Sequence, residues 1–76
     1  MTLNEKQIKF MQEKLSIELV EMLIEEYNYD MQKALDVFYN SKTFERLSDS
    51  STGLYYQSAG YVFDYLKEEM ASIQGC

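Results

Sequence analysis

The stretch Ser16-Ile17-Glu18-Leu19-Val20-Glu21-Met22-Leu23-Ile24-Glu25-Glu26-Tyr27 decides the fold. Its apolar positions, Ile17, Leu19, Val20, Met22, Leu23, Ile24 and Tyr27, return at helical steps, with no strand-like alternation. Upstream, Asn4 is a helix-capping residue and Ile8, Met11 and Leu15 continue one stripe. Drawn as a single helix from Asn4 to Tyr27, the segment puts Ile8, Met11, Leu15, Leu19 and Met22 on one face. Phe10, Ile17, Val20 and Ile24 then occupy a nearly opposite face. A helix apolar on two sides must be buried on two sides, and a 76-residue chain has little material for that. Two solutions exist. The helix bends near Leu15-Ser16, giving spans 4–15 and 16–27, which is the favoured expectation. Otherwise Phe10, Ile17, Val20 and Ile24 form the self-interface of a homodimer.

Working downstream, Asp30 caps a helix over 30–41 whose inward stripe is Met31, Ala34, Leu35 and Phe38, with Val37 beside it. A short helical turn near 43–48, capped by Thr43, carries Phe44 and Leu47. Ser58 caps the last helix, 58–73, where Ala59, Val62, Phe63, Leu66, Met70 and Ile73 make one stripe and Gly75 a stop. Gly60 in its first turn costs about 1 kcal/mol against Ala. Polar junctions lie at 27–30 and 48–58. Leu54-Tyr55-Tyr56 is the only short extended candidate and reads as a loop packed on the core. The expectation is an all-α single domain over 1–76, a small bundle of about four helices with one extra turn. Its core would come from Ile8, Met11, Leu15, Leu19, Leu23, Ala34, Leu35, Phe38, Leu47, Leu54, Val62, Phe63, Leu66 and Met70.

Composition narrows the function classes. A net charge of −6 and a pI near 4.4 oppose nucleic-acid phosphates and anionic membranes, and favour a protein partner with a basic surface. No apolar run approaches a membrane span. Met1-Thr2-Leu3-Asn4-Glu5-Lys6 lacks the pattern of a signal peptide, and the single Cys76 fits a reducing compartment, so a cytoplasmic location is expected. Without His there is no imidazole base or His-ligated metal, and one Cys makes no disulfide and no zinc cage. No catalytic residue, metal or cofactor is expected. Cys76 has no neighbouring cation to activate it and reads as an inert thiol.

Two features remain for recognition. Glu18, Glu21 and Glu25 line one helix face; they read as a solvated acidic row that steers a basic partner. Tyr55, Tyr56, Tyr61 and Tyr65 crowd within one short stretch. Tyr offers large rigid area with a polar tip, so these residues serve either as core-edge filler or as partner anchors.

Leu19 through Asp30, Ala34 through Leu47 (including Phe38-Tyr39-Asn40-Ser41-Lys42-Thr43), and Thr52-Gly53-Leu54-Tyr55-Tyr56-Gln57-Ser58 with Tyr61-Val62 together resemble an uncharacterised bacterial family. Its members are short acidic helical proteins, a domain of unknown function, often encoded beside an ADP-ribosyltransferase-like toxin. The resemblance spans roughly residues 5 to 70. It implies an antitoxin-like or accessory partner that covers the basic site of a toxin-like enzyme, and it carries no catalytic residues. Residues 17–41 also resemble the first two helices of ubiquitin-associated or CUE-type modules, with Tyr27-Asn28-Tyr29 where those have Met-Gly-Phe. The functional expectation is a non-enzymatic protein-binding module. The alternatives are a self-associating structural or regulatory subunit and a ubiquitin-associated-like module.

Overall fold

Asn4 opens the chain's first helix through a capping box: its side chain accepts the Gln7 N–H at 2.9 Å, and Gln7 accepts the Asn4 N–H at 3.0 Å. In the computed structural model, which describes residues 4–74 and the side chains of 4–72, this helix runs unbroken over Glu5–Tyr27 (α1). The expected break at Leu15-Ser16 is absent. Ser16 stays helical because its hydroxyl donates to the Gln12 carbonyl at 2.8 Å, which satisfies it inside the bundle. Asn28, in the left-handed conformation at φ 58°, ends the helix.

Three further helices follow: Met31–Tyr39 (α2), Lys42–Ser48 (α3) and Ala59–Gln74 (α4). Two 3₁₀ turns, Ser50–Thr52 and Leu54–Tyr56, fill the junction before α4. The all-α bundle is therefore observed, with no strand among the described residues. Leu54-Tyr55-Tyr56 is a 3₁₀ turn and not an extended segment. Gly53, at φ 73°, sits between the two turns, where a side chain would be strained. No helix among the described residues is long and apolar enough to cross a membrane.

The remaining α1 puzzle resolves by wrapping. α2, α3, α4 and the Leu54–Tyr56 turn all contact α1, so it buries a broad arc of Leu15, Ser16, Leu19, Val20 and Leu23. Val20 thus belongs to the core and Ile24 packs half-buried against it. Phe10 and Ile17 remain outside at 66% and 63% exposure. The core otherwise holds Ala34, Phe38, Leu47, Leu54, Tyr55, Val62, Phe63, Leu66 and Met70, with Ile8, Met11 and Leu35 partly buried. Phe38 is fully buried and meets Tyr39 and Phe44 edge-on, with ring centroids 5.3 and 5.2 Å away. The Ile73 side chain, Gly75 and Cys76 lie outside what is described.

Asp30 and Ser58 cap α2 and α4 as expected, accepting the Lys33 and Tyr61 N–H groups at 2.8 and 3.2 Å. The start of α3 differs from expectation. Ser41, not Thr43, is its cap: the buried Ser41 hydroxyl donates to the Phe38 carbonyl at 2.6 Å and accepts the Phe44 N–H at 3.0 Å, joining α2 to α3. Thr43 is buried against α4. There Glu69 accepts the Lys42 N–H at 2.7 Å, the Thr43 N–H at 3.0 Å and the Thr43 hydroxyl at 2.8 Å. This carboxylate satisfies donors that a helix start leaves orphaned. At the other end of α3, the Gln12 side-chain amide donates to the Leu47 carbonyl at 2.9 Å, tying α3 to α1. No buried side-chain nitrogen or oxygen among the described residues lacks a partner.

Burial alone would push the Glu69 carboxyl upward. Its hydrogen bonds from Lys42 and Thr43, with the Lys42 charge, outweigh that and hold it below its ordinary value. A depressed carboxylate contributes stability that is complete above its unfolded pKa, about 4.3, and is lost as pH falls through the lower folded value. Glu69→Ala should therefore cost about 1 kcal/mol at pH 7. In denaturant titrations the gap between variant and wild type should close as pH falls below 4; a gap that persists there would show that the carboxylate charge is not what caps α3.

Candidate protein-binding surface

The four clustered tyrosines separate in the structure. Tyr55, 8% exposed, is part of the core, held there by the 3₁₀ turn, so it is not a free anchor. Tyr56 stacks on it at 4.6 Å between centroids and faces solvent. Tyr61 and Tyr65 lie one turn apart on α4, off the stripe of Val62, Phe63, Leu66 and Met70 that enters the core, and both are exposed. Their rings meet edge-to-face at 5.4 Å, and one hydroxyl donates to the other at 3.4 Å. Each ring therefore limits the other's motion, which lowers the entropy a partner must remove on binding.

The acidic surroundings of this pair come from α4 itself. Tyr61, Asp64, Tyr65 and Glu68 line a shallow groove of about 250 Å³. Beside it, a groove of about 430 Å³ is lined by Lys42, Thr43, Arg46, Tyr65, Glu68, Glu69 and Ser72. Asp64 and Glu68 went unremarked as functional residues in the sequence. The signal was present in the spacing: positions 61, 64, 65 and 68 share one helix face. The Glu18, Glu21 and Glu25 row lies on α1, with Glu18 half-buried and the other two exposed; the grooves beside the tyrosine pair are lined by Asp64 and Glu68 instead. Among the described residues no group of three or more Asp, Glu, Cys or His side chains converges to hold a metal.

Two other apolar patches reach solvent. At the α1–α2 junction, Tyr27 stacks on Tyr29 at 5.4 Å, the Lys33 ammonium lies 5.7 Å from the Tyr29 ring centre, and Met31 is exposed. On α1, Phe10 and Ile17 are exposed on the side away from the core. Of the four residues expected in a self-interface, these two are the free ones.

The Tyr61 hydroxyl is held above its ordinary value, first by its hydrogen bond with Tyr65, then by the repulsion a Tyr65 phenolate would add and by slight desolvation. Tyr55 is raised by desolvation and then by the Tyr56 hydroxyl. Both stay neutral near pH 7, so Tyr61 offers a partner an uncharged hydroxyl in a groove that Asp64 and Glu68 also line. Comparison with protein-family models, curated proteins and solved structures returns no match.

Removing the Tyr65 hydroxyl should release this coupling. In Tyr65→Phe the Tyr61 ionisation midpoint, followed by the ring-carbon NMR shift, should fall toward the ordinary tyrosine value of about 10. An unchanged midpoint would mean that the two hydroxyls do not interact in solution.

Proposed function

We propose that this chain is a non-enzymatic protein-binding module that presents the Tyr61–Tyr65 pair, framed by Asp64 and Glu68, to a basic surface on a partner protein. The observation that carries the reading is the pair itself: two aromatic rings held against each other in solvent, with carboxylates on the same helix face. Tyrosine at an interface centre supplies area at low entropic cost. The carboxylates and the net charge of −6 accelerate encounter with a cationic partner and select against anionic ones. Glu18, Glu21 and Glu25 add to that long-range field from α1 and need not touch the partner. The family resemblance of residues 5–70 supplies a partner class: a toxin-like enzyme whose basic site the module covers, in the cytoplasm, as an antitoxin-like or accessory protein.

Co-purification of the tagged chain with the toxin-like product of a neighbouring gene tests this directly. A complex should form that weakens as salt rises, and Tyr61→Ala combined with Tyr65→Ala should reduce affinity at least tenfold, since interface hot spots are worth about 2 kcal/mol or more. Both side chains are exposed, so the double variant should keep its helical circular dichroism. A complex of unchanged affinity in the folded double variant would sink the reading.

A further inference from the structure

We propose that α1 is a self-association helix: two copies of the chain pair antiparallel along the line of Phe10, Ile17 and Ile24, crossing at Ile17. These three residues recur at intervals of seven, so they stay on one side of α1 with a drift of only about 20° per repeat. Phe10 and Ile17 are large and mostly exposed, while Ile24 is half-buried at the edge of the core. The patch does not stop at the helix. Ile17 lines a groove of about 590 Å³ between α1 and α3 together with Tyr39 and Phe44, whose rings meet edge-on at 4.8 Å. Isolated apolar side chains on a surface are ordinary, but a connected patch marks an interaction site.

Charge identifies the occupant. Before Ile17, α1 carries three lysines, Lys6, Lys9 and Lys14, against Glu5 and Glu13; after it come Glu18, Glu21, Glu25 and Glu26 with no cation. Three of the chain's seven basic groups thus sit on one half of one helix, and every charged residue of the other half is acidic. A second copy laid antiparallel sets each basic half on the other's acidic half. Ile17 then packs on its own symmetry mate, Phe10 lies across from Ile24 of the second copy, and the exposed Lys14 faces the exposed Glu21 on the same flank. The two-fold axis makes the Phe10–Ile24 and Lys14–Glu21 pairings twice and the Ile17 pairing once. Parallel pairing would instead stack lysines on lysines and glutamates on glutamates. The line from Phe10 to Ile24 is about 21 Å long and one helix wide, at the small end of specific interfaces, so the association is a weak one. It does not rest on the tyrosine surface of α4, and either reading can fail alone.

Sedimentation and light scattering over a wide concentration range at low salt test it. The mass should rise from that of one chain, 9.0 kDa, toward twice that value. Ile17→Glu should hold the protein monomeric throughout with its helicity unchanged and with the thermal midpoint that the wild type shows when diluted to monomer, because Ile17 takes no part in the core. Lys14→Glu and Glu21→Lys should each weaken association several-fold, and the double exchange should restore it. A protein that stays monomeric into the millimolar range overturns the proposal and leaves the face to a different protein. So does a dimer that survives Ile17→Glu, which would use another surface, or a double exchange no better than its singles, which would exclude the antiparallel register.

Discussion

The arc of Leu15, Leu19, Val20 and Leu23 on α1 is the surface onto which α2, α3 and α4 fold. α2 has nine residues and α3 seven, well below the length at which a helix persists alone in water. Each is helical because α1 offers an apolar wall and because its ends are tied elsewhere. Ser41 ties the end of α2 to the start of α3, Glu69 reaches from α4 to that same start, and Gln12 holds the end of α3 to α1. In a chain this small, burial is only slightly greater than the entropy it opposes, so such ties decide whether short segments stay ordered.

What could be read in the sequence is what depends on near neighbours. The caps Asn4, Asp30 and Ser58 bond within three residues, and their helices begin where those side chains place them. The stripe of α4 from Ala59 to Met70 and the inward positions Ala34, Leu35 and Phe38 on α2 follow from periodicity, whereas Met31, expected in the same stripe, is exposed in the first turn of α2. The largest misreading lies on α1. Two apolar faces on α1 argued for a break at Ser16 on the premise that the chain lacked material to cover both. The structure covers one wide arc, admits Val20 into it, and leaves Phe10 and Ile17 uncovered. Glu69 could not be found from spacing, since its partners lie 26 and 27 residues away. Thr43 looked like a cap because it sits at a helix start, but Ser41, two residues earlier, has the extended backbone a cap requires.

The candidate site was half legible for the same reason. Tyr61 and Tyr65 are related by one helical turn, which the sequence shows, and their exposure follows from the neighbouring stripe. Tyr55 and Tyr56 are adjacent in an irregular segment, and only the fold determines that the first turns inward and the second outward. The acidic frame of the pair shares its helix face, whereas the glutamate row on α1 was linked to it only by net charge. Electrostatic steering acts at range and needs no contact; anchoring does. In the proposed recognition the two sets of acids therefore have different duties.

Phe10 and Ile17 make a separate demand for explanation. Exposed helix positions that serve folding alone favour Ala, Glu, Lys or Gln, because β-branched and aromatic side chains lose rotamer freedom against the preceding turn. Ile17 and Phe10 carry that cost and, at their exposure, recover little of it through burial in the monomer. Placed between a lysine-bearing half and a glutamate-only half of the longest helix, they would recover it in the proposed dimer, where a second α1 covers them. Association would then also stabilise the fold by mass action, in proportion to how far the protein concentration exceeds the dissociation constant. For a 76-residue chain whose shortest helices depend on α1, stiffening that one helix strengthens the wall on which all the others are packed.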